Sequence, residues 1–184
     1  MIGRNLKTAL IVSCALVFLA SCGYHFSGEG EGPKPGLRCI AIPVFENKTT
    51  EPNLGEIFAT DLSREFMQKG NMRVVPVEEA EAVFKGVILS IFVFPVAHHP
   101  TNIVTNQIAV VNRLYLTIDI RCEDKITHKV LWRDPAFSYY KVYQINTDPL
   151  HPDPVLGYEN RQAALRYLAS EMSQRIHDRF LSNF

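Results

Sequence analysis

Apolar residues recur along this chain at two alternating periods, and the switches between the two mark out its elements. Leu37 to Phe45 (LRCIAIPVF) is apolar on both faces and predicts a strand, with Pro43 near its end. Glu46 to Asn53 is polar and predicts a loop. From Leu54 to Lys69, the residues Leu54, Ile57, Phe58, Leu62 and Phe66 recur at helical spacing. Glu56, Asp61, Arg64 and Lys69 fall on the other side, so the segment predicts an amphipathic helix. Asn53 stands at the cap position, Glu56 at the capping-box position, and Gly70-Asn71 supply a left-handed stop.

The second half of the chain is strand-rich. Met72 to Val77 predicts a short strand, and Glu78 to Glu81 an acidic connector. Ala82 to Phe94 carries Val83, Val87, Leu89, Ile91 and Val93 on one face and Phe84, Ile88, Phe92 and Phe94 on the other. Apolar residues on both faces predict a central strand covered on each side, with Phe92 in the core. Pro95 and Pro100 bracket His98-His99 in an expected loop. In Gln107 to Glu123, Leu114, Leu116, Ile118, Ile120 and Cys122 alternate with Tyr115, Thr117, Asp119, Arg121 and Glu123, a half-buried strand with one wet face. A turn over Asp124 to His128 leads back into the aromatic strand Lys129 to Tyr143, where Pro135 requires a bulge or an edge. After a Pro-rich loop, Asp148 to Pro154, a long helix runs from about Gly157 to Leu181. Its inner stripe is Ala164, Leu165, Leu168, Met172, Ile176 and Phe180.

Two amphipathic helices have one stripe each to bury. The economical solution is an α+β single domain with both helices on one face of a mixed sheet. The other face is left part apolar and part polar, which suits contact with a partner better than open water.

The first 36 residues follow a different logic. Arg4 and Lys7 precede 13 uncharged residues, Thr8 to Ala20, and then Leu19-Ala20-Ser21-Cys22 closes the run. This is the charged end, apolar middle and small-residue cleavage site of an export signal, too short to span a bilayer. The placement of Cys22 resembles the bacterial lipobox, in which the thiol is diacylglycerylated and becomes the first residue. Residues 1–21 are therefore read as a lipoprotein signal peptide, 22–36 as a lipidated N-terminus and flexible linker, and 37–184 as the folded domain. Several acyl chains hold a protein stably where one holds it only marginally.

Composition narrows the function classes. Removing residues 1–21 takes away two of the 19 basic residues and none of the 19 acidic ones, leaving a formal charge of −2. A near-neutral chain without a basic stretch is no nucleic-acid binder. Cys39 and Cys122 fall in strands, where they are either a disulfide permitted by export or two small buried hydrophobes. Nothing concentrates acid and base, so no enzymatic activity, cofactor or metal is expected. His98 and His99 are adjacent and point apart on a strand. Asp148, His151 and Asp153 read as rigid punctuation among prolines, and Asp61 and Glu65 as a solvated helix face. What remains is a set of cations, Arg113, Lys129, Arg133 and Lys141, flanking Trp132, Tyr139 and Tyr140. Guanidinium and ammonium groups form charge-assisted bonds to phosphate, so these four are candidate contacts for a phosphorylated glycolipid.

Several motifs together resemble one family. They are Cys22-Gly23-Tyr24-His25-Phe26 after the lipobox, the strand-loop Ile42-Pro43-Val44-Phe45-Glu46-Asn47-Lys48-Thr49 before a helix, and the Ala82–Pro95 strand with its closing proline. The hairpin ending Lys129-Val130-Leu131-Trp132 and the long C-terminal helix add to them. In combination they are similar to the LPS-assembly lipoprotein family, the small subunit of the outer-membrane lipopolysaccharide translocon. The resemblance implies two helices against a four-stranded sheet. It also implies a plug inside a large outer-membrane β-barrel partner whose assembly it assists, contact with lipopolysaccharide, and attachment to the outer membrane through lipid on Cys22. Gly23 after the anchor resembles the pattern of lipoproteins sent to that membrane. The loop 98–106 departs from a site built on basic loop residues, since it holds two histidines and no Lys or Arg. The Ile42–Thr49 stretch before a helix also resembles small α/β lipoproteins that build secretion pores or activate cell-wall synthases, which leaves a tethered accessory lipoprotein of that kind as the alternative.

Overall fold

The computed structural model describes residues 32–70, 72–100, 107–145 and 153–182. Residues 1–21, expected to be a signal peptide, and Cys22 lie outside them, as do Asp148 and His151. The elements are β1 (Cys39–Ala41), β2 (Glu46–Asn47), α1 (Leu54–Lys69), β3 (Arg73–Val74), a 3₁₀ turn at Val77–Glu79, β4 (Ala82–Pro100), β5 (Gln107–Asp124), β6 (Val130–Gln144) and α2 (Pro154–Ser182). The sheet order is β3-β1-β4-β5-β6, and β2 pairs with β4 further along. The pairs among β1, β3, β2 and β4 are parallel, and β4, β5 and β6 form an antiparallel meander.

The architecture is α+β, two helices on a mixed sheet, but the sheet has six strands rather than four. Five of them are the predicted strands, one more than the resemblance implies, and the sixth is β2, which falls in the Glu46–Asn53 segment expected to be a loop. Pro43 has no amide hydrogen to give a ladder. The chain leaves β4 after Ala41, which pairs with Val83, and rejoins it at Glu46, which pairs with Val87. In the gap Phe45 turns inward and is buried, its ring 6.5 Å from that of Phe58. The ring fills the space over Gly86, where an added Cβ would stand 2.5 Å from it.

Both helical stripes are buried as their spacing predicts. Leu54, Phe58, Leu62 and Phe66 of α1 and Ala164, Leu165, Leu168, Met172, Ile176 and Phe180 of α2 share one core with Leu114, Leu116, Ile118, Ile120 and Cys122 of β5. At its centre Phe84 lies 5.5 Å from Phe66 and 5.0 Å from Phe180, and Trp132 meets Phe180 edge-on at 5.8 Å. Each such side chain contributes about 1.5–3 kcal/mol through burial. The helix ends differ from expectation at one point. Gly70 is left-handed and its N–H bonds the Phe66 carbonyl, but Asn53 is also left-handed, at φ 62°, and its side chain makes no cap. Only its carbonyl serves α1, accepting from the Ile57 amide.

Two further corrections concern β4. It does not stop before a histidine loop. It runs through His98 and His99, opposite Ala109 and Ile108, with register shifts near Ala97 that absorb Pro95. Nor is it covered on both sides. The register shifts by one residue between Ile88 and Ser90. Such a bulge flips every later side chain to the opposite face. Ala82, Phe84 and Ile88 point into the core before it, and Ile91 and Val93 pack against the core after it. Phe92 and Phe94 are turned out, 56% and 49% exposed. Cys39 and Cys122 are free and buried. They sit on β1 and β5 with β4 between them, a separation of two strand spacings, about 10 Å, beyond the reach of a disulfide.

Candidate functional site

The sheet face away from the helices carries two zones. The zone nearer the β5–β6 turn is charged and satisfied within itself. Lys85 Nζ and Arg121 Nε each stand 2.5 Å from the Glu123 carboxylate, and Arg133 grips Asp119 with two bonds of 3.2 and 2.7 Å. The bond from Lys85, and then that from Arg121, hold the Glu123 carboxyl below its ordinary range. Thr117 and Ser138, hydrogen-bonded at 3.2 Å, form the border.

Beyond them the face becomes aromatic. Register places Phe92, Tyr115 and Tyr140 in one row across β4, β5 and β6, and Phe94, Arg113 and Val142 in the next. The rings touch in a chain: Phe92 to Phe94 at 4.3 Å, Phe94 to Tyr115 edge-on at 6.0 Å, and Tyr115 to Tyr140 at 5.4 Å. The Arg113 guanidinium lies 4.7 Å over the Tyr140 ring, and its Nη1 donates to the Tyr115 hydroxyl at 3.4 Å. Its Nε is buried and has no partner among the described residues. Lys85, Arg121 and Arg133 on this face all have carboxylates, whereas Arg113 has none among the described residues. An arginine stacked on aromatics, with no acid beside it among the described residues, is poised for an anionic group, and the rings around it offer apolar area.

The four candidate cations do not share one place. Arg113 belongs to the aromatic zone. Arg133 faces Arg121, eight residues along β5, about 26 Å away, and is tied to Asp119. Lys129 is exposed beside the β5–β6 turn. Lys141 pairs with the inward Leu114 and so lies on the helix side, its Nζ 3.8 Å over the Tyr167 ring. Of the aromatics read beside them, Trp132 is core and Tyr139 bonds Arg175 on the helix side, so Tyr140 alone reaches the outer face. Phe92, Phe94 and Tyr115 escaped the sequence analysis as site residues. The alternation of β5 did place Tyr115 on the wet face, but no sequence signal announces the bulge that turns Phe92 and Phe94 outward.

Of the carboxylates weighed for chemistry, the described ones, Asp61, Glu65 and Asp153, are spent on structure. Asp61 pairs with Arg64 at 2.6 Å, and Glu65 with Lys69 at 3.7 Å. Asp153 accepts from the amides of Val155 and Leu156, at 3.0 and 3.2 Å, and caps α2. Among the described residues no three His, Cys, Asp or Glu side chains could hold a metal ion, and no helix is long and apolar enough to cross a membrane.

A family model described as LptE, lipopolysaccharide assembly, matches residues 37–180. No curated protein matches significantly. Among solved structures, the chain is similar to an uncharacterized lipoprotein B from Nitrosomonas europaea determined in solution. The TM-score is 0.53 at 10% identity, over 88% of this chain and 92% of that one. It is also similar to a Xanthomonas campestris protein, with a TM-score of 0.52 at 7% identity, over 79% and 84% of the two chains. At such identities the likeness shows the fold alone.

Proposed function

Since this chain belongs to the LptE lipopolysaccharide-assembly family, we propose that it is the small lipoprotein of an outer-membrane translocon, seated in a large β-barrel partner. There it assists assembly of the barrel and contacts lipopolysaccharide on its way to the outer leaflet. It is held on the periplasmic side of the outer membrane by lipid on Cys22 and carries out no catalysis. The observation that carries this proposal is the uncovered sheet face. Its charged zone is already paired, and a barrel lumen is itself polar. Its aromatic zone combines apolar area with an arginine that has no carboxylate among the described residues, the two features that an amphiphile with phosphate and sugar would use. Arg113 with Phe92, Phe94, Tyr115 and Tyr140 is the contact surface we favour, and Arg133, Lys129 and Lys141 are further contacts that the same test examines.

Two experiments address it. Detergent extracts of tagged full-length protein should yield a large β-barrel protein in stoichiometric amount. A homo-oligomeric ring or a wall synthase instead would establish the alternative. In binding assays with purified lipopolysaccharide, R113E should weaken capture more than R133E/K141E, with thermal stability preserved in both. Unchanged capture by R113E would remove the aromatic zone from the site.

A further inference from the structure

We propose that the outer edge of β6, over residues 137–143, takes up an extended strand of a protein partner, one that sets a carboxylate beside Lys141. That this partner is the barrel rests on the reading above; the strand site itself does not.

β6 closes the sheet. β5 pairs with it on one side, from Val111 opposite Gln144 to Glu123 opposite Val130, and on the other side no strand stands among the described residues. Such an edge leaves the N–H and C=O of every second residue unpaired, a template for another strand. The first part of the edge is blunted. Asp134 bonds Arg179 of α2, Arg133 is tied to Asp119, and Pro135 brings no amide hydrogen. Residues 137–143 lack this protection. They read Phe-Ser-Tyr-Tyr-Lys-Val-Tyr, strand-forming types with a single charge and no proline. Tyr140 and Val142 are exposed. The open stretch ends at Gln144, whose carbonyl accepts from Asn160 Nδ2 at 3.0 Å.

What lies beside this edge selects the occupant. A cleft of about 380 Å³ runs between residues 141–144 and Ala163, Ala164 and Tyr167 of α2. The alanines leave room for the side chains of an added strand, on the face that carries Tyr139, Lys141 and Tyr143. Residues of that strand would alternate between the cleft and the outer face, beside Tyr140 and Val142. The other cations near the edge are matched, Arg133 with Asp119, Arg175 with Glu171 and Arg179 with Asp134. Lys141 has the Tyr167 ring, 3.8 Å from its Nζ, and no carboxylate among the described residues. A carboxylate directly across the strand would pair it. A second copy supplies none, since 137–143 holds no acid. A two-fold axis at Tyr140 would set Lys141 opposite Tyr139 of the other copy, over whose ring Arg175 already lies at 4.3 Å, cation against cation. The edge therefore fits a foreign strand with an acid among apolar neighbours on one face.

The test uses full-length protein in detergent and the peptide acetyl-Thr-Val-Thr-Glu-Thr-Val-Thr-amide, whose Val, Glu and Val share one face. The peptide should bind at high micromolar concentration and slow hydrogen exchange of amides within residues 137–143. Replacing its Glu by Lys should weaken binding roughly fivefold, and K141E in the protein should reverse that preference. N-methylation at the odd or at the even positions of the peptide removes alternate amide donors. One of the two methylated versions should bind about tenfold more weakly, and the other like the parent. Absence of binding, or equal effects of the two methylations, overturns the strand ladder. A preference for Glu over Lys that persists in K141E overturns the pairing with Lys141. A dimer in sedimentation that the peptide disperses gives the edge to a second copy and overturns the foreign strand. Failure of the barrel pull-down with peptide binding intact overturns only the identity of the partner.

Discussion

Phe84 and Phe92 lie eight residues apart on one strand, and they should respond to substitution in opposite ways. Phe84 has no exposure and touches the rings of Phe66 and Phe180. Phe84→Ala removes a fully buried ring whose neighbours on both helices cannot close the gap, so it should cost about 3–5 kcal/mol. For a domain of this size that lowers the melting temperature by roughly 10–15 °C. Phe92 is 56% exposed and its main contact is the Phe94 ring at 4.3 Å. Phe92→Asp places its charge in water, beside Arg113, and should cost less than about 1 kcal/mol. The equal periodicity of the two positions predicts equal damage, and only the bulge between Ile88 and Ser90 separates them. Urea and thermal unfolding of the two variants decide the matter. A large loss for Phe92→Asp, or a small one for Phe84→Ala, would refute both the bulge and the outer-face assignment built on it.

Other consequences are equally checkable. Gly55→Ala improves helix propensity by about 1 kcal/mol. Its Cβ would nevertheless stand 2.1 Å from the Phe45 carbonyl oxygen, so unfolding midpoints should fall by the equivalent of about 3 kcal/mol or more. His177 is fully buried, its Nδ1 beside Asp178 at 3.0 Å and Lys69 Nζ at 3.5 Å, and burial pushes its pKa below the ordinary value, against the pull of the Asp178 bond. As pH falls below about 6.5 the unfolded chain takes up this proton before the folded one. Stability should therefore decline below that point, by at most about 1.4 kcal/mol per pH unit. H177Q should flatten this part of the curve, leaving the losses below about pH 4 that come from Glu123, Asp124 and Asp178, whose carboxyls are held low when folded. Cys122, its thiol pushed up to about 12 chiefly by burial, should resist alkylation in the native protein, and Cys39 and Cys122 should both react once it is unfolded without reductant. A single thiol or none would contradict the strand spacing.

The helices and the alternation of β5 were legible because each depends on residues close in the chain. Phe58, Leu62 and Phe66 share a face by helical geometry alone, and Gly70 ends α1 for a reason confined to its own backbone. The candidate site was not legible in this way. Arg113 could be singled out as a cation near aromatics, but its separation from Lys129, Arg133 and Lys141 depends on which strand each faces and on which side of the sheet it lies.

Local sequence by itself determined the two helices and the alternation of β5, how two helical stripes and one strand face make a core, and which motifs carry the family resemblance. Tertiary structure alone decided that the first strand stops after Ala41 and that pairing with β4 resumes at Glu46, that a bulge beside Leu89 turns Phe92 and Phe94 outward, and that Lys34 finds Asp124. The physical reason is one of range. Periodicity records a side chain's angle relative to its neighbours in the chain. A bulge or an ion pair is settled by a partner strand or turn tens of residues away, and one residue of register reverses every face that follows.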